Sequence, residues 1–261
     1  MGKAIAIFNQ KGGVGKTTTN INLAACLALK GKKILILDID PQGNASSGFG
    51  INKRSLTRSS YELIMGAAPA AECTYETTAK NVSIIPSNIN LAGAELELAE
   101  AKNRAESLKS ALSAVRYKYD FIIIDCPPSL GLITINALTA SDTVLIPIQC
   151  EFYALEGLSQ LCNTIRQVKN TYNPQLDIEG VLFTMYDGRL ILTAQVANEV
   201  KRFFPGKVYK TAIPRNVRLS EAPSYGKAVI YFDRFSKGAQ YYSQFAAEVM
   251  AANKLYGAGE M

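Results

Sequence analysis

Histidine and tryptophan are both absent from the 261 residues of this chain. Without histidine the chain cannot build a Ser-His-Asp triad, a Cys-His dyad or most kinds of zinc site. Any hydrolytic chemistry must therefore use other groups.

Cysteine is scarce, and long apolar runs are missing. The five cysteines lie in apolar contexts and have neither CxxC nor metal-ligand spacing, so we expect reduced core thiols in a cytosol. No segment approaches the roughly 20 consecutive apolar residues that span a bilayer. Residues 1–3 lead directly into a strand-like run rather than a signal peptide. These absences predict a cytoplasmic protein.

Apolar residues make up 48% of the chain, which is enough for one large core, and we expect residues 1–261 to form one domain. Runs that are apolar on both faces alternate with segments whose apolar residues recur every three or four positions. The predicted strands are 3–8, 33–38, 82–86, 121–125, 143–148, 180–184 and 208–213. The predicted helices are 16–30, 95–117, 155–169, 193–204 and 239–255. This alternation predicts an α/β fold with a doubly wound, mostly parallel sheet and helices on both faces.

A glycine-rich turn separates the first predicted strand from the first predicted helix. It reads Lys11-Gly12-Gly13-Val14-Gly15-Lys16-Thr17-Thr18. Glycines let backbone N–H groups converge on phosphate oxygens, and the following helix presents its positive N-terminus. Lys16 is suited to neutralising the β- and γ-phosphates, and the Thr17 hydroxyl can bind Mg²⁺. We therefore predict a nucleotide site over all eight residues.

Acidic residues follow two of the predicted strands. Asp38 and Asp40 follow the second strand, and Asp125 ends the run 121–125. The carboxyl ends of parallel strands lie beside such a phosphate loop, and Mg²⁺ accepts carboxylate ligands while keeping several waters. Asp125 is therefore a candidate for the Mg²⁺ shell. For one such aspartate alone, capping of the next turn is the alternative role.

The phosphate loop departs from the general GxxxxGK[ST] form, because position 10 is glutamine and position 11 is a second lysine. The motif KGGVGKT resembles the deviant Walker A family, in which the early lysine reaches the nucleotide of the partner subunit. The resemblance implies that Lys11 acts in trans and connects ATP binding with dimerisation. It also implies that Asp40 positions or activates the attacking water and that Asp38 supports the metal shell. An ordinary surface charge is the alternative role for Lys11.

The resemblance covers nearly the whole chain and is specifically to chromosomal ParA/Soj proteins. It is carried by the segments 38–50, 125–141, 149–161 and 209–226. It implies a slow ATPase that uses ATP and Mg²⁺, with Pro214 and Asn216 near the adenine. It further implies an ATP-bound homodimer that binds double-stranded DNA non-specifically and associates with the nucleoid. Chromosome or plasmid segregation would need a ParB/Spo-type partner, which with DNA stimulates turnover.

The basic excess of the chain is regional. The formal net charge is +6, and Met185 to Gly238 alone contains ten Lys/Arg and four Asp/Glu. An ordinary solvated surface is one interpretation, and a face that binds nucleic acid or acidic lipid is the other. Arg189 and Arg218 lie in this segment and match DNA-binding positions of Soj-like proteins, which favours phosphate contacts with DNA.

Three other functions use a related fold or surface. A MinD-like membrane-associated ATPase would end in a basic amphipathic helix, but residues 240–261 contain one lysine and two glutamates. A reductase resembling the nitrogenase iron protein would need paired cysteine ligands, and the cysteine pattern does not match. A non-enzymatic DNA scaffold would have no need of the complete lysine, hydroxyl and carboxylate set. Phosphate release with and without DNA distinguishes a scaffold from an ATPase.

Overall fold

Mostly apolar runs form one sheet in the computed structural model, which describes residues 2–151 and 154–254. The strands are β1 (Lys3–Ile7), β2 (Ile34–Asp38), β3 (Tyr75–Glu76), β4 (Val82–Ile85), β5 (Phe121–Asp125), β6 (Thr143–Gln149) and β7 (Asp177–Thr184). Their order across the sheet is β3-β4-β2-β5-β1-β6-β7. All neighbours pair in parallel except the short edge strand β3, which is antiparallel to β4. The predicted doubly wound, mostly parallel sheet is confirmed.

Helices connect the strands. They are α1 (Lys16–Leu29), α2 (Asn44–Gly48), α3 (Ser60–Ile64), α4 (Ala94–Ala99), α5 (Ser107–Ser113), α6 (Leu132–Ala140), α7 (Ala154–Thr171), α8 (Ile191–Phe203), α9 (Val217–Glu221), α10 (Val229–Phe232) and α11 (Lys237–Ala252). Short 3₁₀ helices occur at Lys53–Ser55, Ile89–Gly93, Arg116–Lys118 and Ala222–Tyr225. No helix in the described ranges is long and apolar enough to cross a membrane. The last position of the predicted helix 239–255 lies outside the described residues.

The alternation of side chains along β1 divides the buried core into two clusters. Ala4 and Ala6 belong to the cluster that contains the buried side chains of α3 to α8. Ile5 and Ile7 belong to the cluster of α1, α2 and α11. Successive side chains of a strand point to opposite faces, so each face of the sheet is covered by its own group of helices. The predicted coverage of both faces is therefore confirmed.

The predicted helix 95–117 is wrong, because α4 and α5 are separated by a break at 100–106. The Asn136 side chain of α6 is bonded to the main chain around this break. Its Nδ2 donates to the Arg104 carbonyl at 2.6 Å, and its Oδ1 accepts from the Leu108 N–H at 3.2 Å. These bonds come from a distant element, so the local apolar spacing did not reveal the break.

The predicted strand 208–213 is also wrong, because this segment makes only one isolated parallel bridge to β7, between Val208 and Val181. Tyr209 donates its N–H to the Val181 carbonyl at 3.0 Å. The next two N–H groups, of Lys210 and Thr211, instead donate to the Glu248 carboxylate of α11 at 2.8 and 2.9 Å. The ladder is interrupted because the Thr211 N–H donates to this helix side chain, while the Phe183 carbonyl of β7 accepts from the Ile213 N–H instead.

We expect Gly180→Ala to destabilise the chain where this segment crosses β7. A Cβ at position 180 would lie 2.4 Å from Cε2 of Tyr209 and 2.9 Å from the Lys207 carbonyl oxygen. Overpacking of this kind costs about 1–3 kcal/mol of unfolding free energy, which urea denaturation measures. The control is Gly157→Ala in α7, where a Cβ meets no described heavy atom within 4 Å outside its chain neighbours and its own helix backbone. Equal stability of the Gly180→Ala and wild-type chains would contradict the close approach.

Candidate nucleotide-binding site

The glycine-rich loop joins the end of β1 to the start of α1. Gly13 and Gly15 have φ of 75° and 86°, in the left-handed region that glycine adopts without strain. Gly15 is the N-cap of α1 and provides no side-chain cap. The first N–H groups of the helix, including those of Lys16, Thr17 and Thr18, therefore lack intrahelical acceptors and are available to an anion.

A side chain at the end of β7 holds this loop against the sheet by a hydrogen bond. The Thr184 hydroxyl donates to the Val14 carbonyl at 2.8 Å, and both residues are buried. Sequence reasoning missed Thr184, because the two bonded residues are 170 positions apart and no local motif marks it. The bond fixes the loop against the sheet, so the loop conformation does not depend on its glycines alone.

Lys16 lies largely buried behind the loop, with 8% of its surface exposed. Its ammonium donates to the Lys11 carbonyl at 3.2 Å. Burial lowers the pKa of Lys16, while the nearby carboxylates of Asp125 and Asp40 act in the opposite direction. The cation is thus partly stripped of water before any ligand arrives, which favours a strong interaction with an anion.

The register of the sheet brings two predicted metal-site carboxylates together. Asp38, at the end of β2, is directly opposite Asp125, at the end of β5. Asp125 is also opposite Ile7, at the end of β1, so it lies next to the loop. Both aspartates are fully buried. A pair of buried carboxylates is unfavourable without a cation nearby.

Asp125 has the more unusual environment of the two. Neither of its carboxylate oxygens has a hydrogen-bond partner of ordinary geometry among the described residues. Burial, followed by the charge of Asp38, raises the pKa of Asp125 well above its ordinary value, while the neighbouring Thr17 hydroxyl and Lys16 ammonium oppose the shift. Buried polar atoms are almost always paired, so these oxygens fit a cation as an additional partner.

The donor set fits Mg²⁺. Carboxylates and a threonine hydroxyl are hard oxygen ligands, which Mg²⁺ prefers. Within the described ranges, no group of three or more His, Cys, Asp or Glu side chains could hold a metal ion. This arrangement agrees with an ion held partly by protein oxygens and partly by water and phosphate, and not with an all-protein cage.

The two aspartates of the β2 loop have different surroundings. Burial raises the pKa of Asp38 to about 6, although hydrogen bonds from Ser46 and from the Asp40 N–H oppose this shift. Asp40 is only half-buried, and its Oδ1 accepts the Gln42 N–H at 2.9 Å. Asp40 is therefore the carboxylate that water can reach.

A cavity of about 580 Å³ adjoins the loop. Gly13, Gly15 and Thr18 line one side of it, and Pro214 and Asn216 line the other. The structure thus brings together two sequence segments that are about 200 positions apart. Oδ1 of Asn216 is buried and has no hydrogen-bond partner among the described residues, which is rare for a buried polar atom.

Lys11 is directed away from this cluster. Its ammonium forms an ion pair with Glu151 at 2.8 Å, and the two side chains are 38% and 47% exposed. Lys11 therefore does not contribute its charge to the site of its own chain in this conformation.

Arg189 and Arg218 are not among the residues that line the nucleotide cavity. Arg189 is 88% exposed and pairs with Asp187 at 2.6 Å, and this contact lowers the pKa of Asp187 to about 2. Arg218 pairs with Glu221 at 2.7 Å and with Asp233 at 3.3 Å. Both arginines are accessible, but neighbouring carboxylates balance their charge.

Six of the ten cations between Met185 and Gly238 have no ion pair with a described carboxylate: Lys201, Lys210, Arg215, Lys227, Arg234 and Lys237. Sequence reasoning named none of these six residues individually. The charge count over the segment was the available signal, and only the structure distinguishes paired from unpaired cations.

The sheet, the glycine loop and the paired strand-end carboxylates define a P-loop NTPase of the deviant Walker A type. Residues 2–178 match the protein family described as AAA domain. The chain is 59% identical to sporulation initiation inhibitor protein Soj of Bacillus subtilis, over 96% of this chain and 99% of that protein. It is 50% identical to chromosome partitioning protein ParA of Myxococcus xanthus, over 96% and 88%. The chain belongs to the ParA/Soj family of chromosome-partitioning ATPases.

A solved structure supports the same fold. Cobyrinic acid a,c-diamide synthase from Mycobacterium smegmatis, with a bound ATP analogue and magnesium, superimposes with a TM-score of 0.88. The two chains are 35% identical, and the match covers 97% of this chain and 96% of the other. The likeness therefore extends through the loop, the strand ends and the segment that closes the cavity.

We expect Asp125→Asn to change how the stability of the ligand-free chain depends on pH. When folding raises the pKa of a carboxyl, the unfolding free energy of the chain falls as pH rises above about 4, because the unfolded state releases the proton first. The fall ends when pH reaches the raised pKa of the folded state. Asp125 contributes up to about 1.4 kcal/mol per pH unit within that window. Denaturation of both chains at several pH values should give a shallower decline for Asp125→Asn. Parallel curves would contradict the raised pKa.

Proposed function

We propose that the chain is an ATP-hydrolysing switch that dimerises around ATP and Mg²⁺ and then binds double-stranded DNA without reading its sequence. With a ParB/Spo-type partner, it segregates chromosomes or plasmids. The observation that carries the proposal is the buried Asp125 carboxylate, which lies near the Lys16 ammonium and has no hydrogen-bond partner of ordinary geometry among the described residues. The 59% identity to Soj, against 35% to the diamide synthase, favours partitioning over amidation.

Nucleotide and Mg²⁺ supply partners for the loop N–H groups, the Lys16 ammonium and the Asp125 carboxylate. The N–H groups of the loop and the Lys16 ammonium bind the β- and γ-phosphates, which compensates the burial of Lys16. The Asn216 carbonyl accepts from the adenine amino group, and Pro214 packs against the base. Thr17 and Asp125 would hold Mg²⁺, with Asp38 supporting the shell. The ion supplies charge neutralisation on the phosphate oxygens.

Hydrolysis needs a group that water can reach, and Asp40 is that group. Its half-buried carboxylate can hold the attacking water and take up its proton, while the fully buried Asp38 stays with the metal shell. Two carboxylates two positions apart thus have separate tasks because their burial differs.

Dimerisation requires Lys11 to change partners. In the single chain it pairs with Glu151, a contact between half-exposed groups that costs little to break. In the dimer Lys11 reaches the phosphates of the nucleotide bound by the partner. This exchange makes the dimer depend on ATP, and loss of the γ-phosphate on hydrolysis releases it.

The dimer joins two weak DNA half-sites into one strong site. Arg189 and Arg218 contact DNA phosphates. Lys227, and Arg215 at the rim of the nucleotide cavity, add charge that no described carboxylate balances. Phosphate contacts need no base recognition, which suits a protein that travels over the nucleoid. The ParB/Spo-type partner and DNA accelerate the slow basal turnover, so they set how long each dimer stays bound.

Asp40→Ala and Lys16→Ala separate the steps of this cycle. Asp40→Ala should bind ATP, release phosphate at least about 100-fold more slowly, as expected when a general base is lost, and accumulate as a DNA-bound dimer. Lys16→Ala should lose productive ATP binding, because the charge facing the phosphates is gone.

Three measurements distinguish the two variants. Size-exclusion chromatography with ATP and Mg²⁺ measures dimerisation, phosphate release measures hydrolysis, and DNA retention measures DNA binding. A strictly monomeric Asp40→Ala chain, or normal turnover by Lys16→Ala, refutes the proposal.

We expect Arg189→Ala and Arg218→Ala to weaken binding about equally on any duplex, and Asp187→Asn to strengthen it by releasing Arg189. Each arginine removed should reduce the salt slope by roughly one contact per protomer. Filter binding across a salt series measures both effects, with dimerisation checked in parallel.

Arg202→Ala is the matched control. This exposed arginine also pairs with a carboxylate, Glu199 at 2.6 Å, but it lies at the opposite end of α8 from Arg189. Its loss should leave the salt slope unchanged. Unaltered DNA affinity in the Arg189→Ala, Arg218→Ala double variant contradicts the proposed DNA face. Loss of dimerisation in that variant would show that the two arginines belong to the dimer contact instead.

A further inference from the structure

Asp38 is held by donors at both of its carboxylate oxygens. Oδ2 accepts from the Ser46 N–H at 2.8 Å and from the Ser46 hydroxyl at 2.7 Å. Oδ1 accepts from the Asp40 N–H at 3.2 Å. Asp38 and Ser46 are both fully buried, so water cannot replace these donors.

The Ser46 hydroxyl is itself oriented by a second strand end. The Ser87 N–H, just beyond β4, donates to the Ser46 oxygen at 2.9 Å. A hydroxyl has one proton, and the amide of Ser87 occupies an acceptor site of the oxygen. The single proton of Ser46 is then left to point at Asp38. The Ser46 hydroxyl thus connects the Ser87 amide, just beyond β4, to the Asp38 carboxylate at the end of β2 through two hydrogen bonds.

The loop that carries Asp40 packs tightly around this relay. Gly43 has φ of 60°, and a Cβ there would lie 2.7 Å from the Ser87 carbonyl oxygen and 2.7 Å from Cδ of Lys53. The chain therefore passes close to the end of β4 on its way from Asp40 to α2. Such packing leaves Ser46 little freedom to move away from Asp38.

We propose that Ser46 is a positioning residue of the Mg²⁺ site, which orients the buried Asp38 carboxylate toward the metal shell by a hydrogen bond relayed from the Ser87 amide. This inference rests on the proposed nucleotide function. Ser46 does not line the nucleotide cavity. It acts through Asp38, as the outer partners of metal-site ligands generally do.

The role of Ser46 is tested with a fluorescent ATP analogue bound to the full chain. The affinity of the analogue is measured over a Mg²⁺ series, and its affinity in EDTA gives the value without the metal. Ser46→Ala should need about 10-fold to 100-fold more Mg²⁺ for half-maximal strengthening, as is typical when an outer partner is lost. Its affinity in EDTA should match that of the wild type. Ser46→Thr, which keeps the hydroxyl, should restore the Mg²⁺ response. A merely structural role would change binding in EDTA and in Mg²⁺ together.

Ser47→Ala, on the exposed side of the same short helix, is the matched control and should behave as the wild type. If Ser46→Ala does not fold, Ser46→Cys replaces it, because a thiol is only a weak donor. A folded Ser46→Ala or Ser46→Cys chain with the wild-type Mg²⁺ midpoint overturns the role of Ser46 alone. A wild-type chain that shows no Mg²⁺-dependent binding overturns the proposed function as well.

Discussion

The buried contact between the ends of β2 and β5 is the constraint around which the site is organised. Parallel pairing places Asp38 directly opposite Asp125, and both carboxylates are removed from water. Such a pair opposes folding unless a cation compensates it, so the ligand-free chain carries a local cost that its ligands can relieve. The rest of the sheet supplies the apolar packing that tolerates this cost.

The residues that position the loop, the carboxylate pair and the cavity come from elements that are far apart in the chain. Thr184 of β7 holds the glycine loop, and Ser46 of α2 holds Asp38. Asn216, just before α9, lines the cavity, and its buried Oδ1 has no hydrogen-bond partner among the described residues. Tertiary packing brings these three residues, from β7, α2 and the start of α9, to the same edge of the sheet.

Much of the fold and the candidate site could be predicted from local patterns. Strands such as β5 are recognisable because a strand buried on both faces needs an unbroken apolar run. The loop before Lys16 is recognisable because close backbone approach to phosphate requires glycine. The predictions for 95–117 and 208–213 were wrong for a common reason. In both segments a side chain from another helix, Asn136 or Glu248, binds main-chain groups that local spacing assigns to a regular element.

The sequence by itself determined the chemical inventory: no histidine, a glycine loop with two lysines, and aspartates at strand ends. These are properties of residue type and short spacing. Only the tertiary structure decided which oxygens are unpaired, that Lys11 rests on Glu151, and that Arg189 is balanced by a neighbouring carboxylate while Arg215 is not. Burial and hydrogen bonding depend on contacts between positions tens to hundreds of residues apart, and such contacts exist only after the chain has folded.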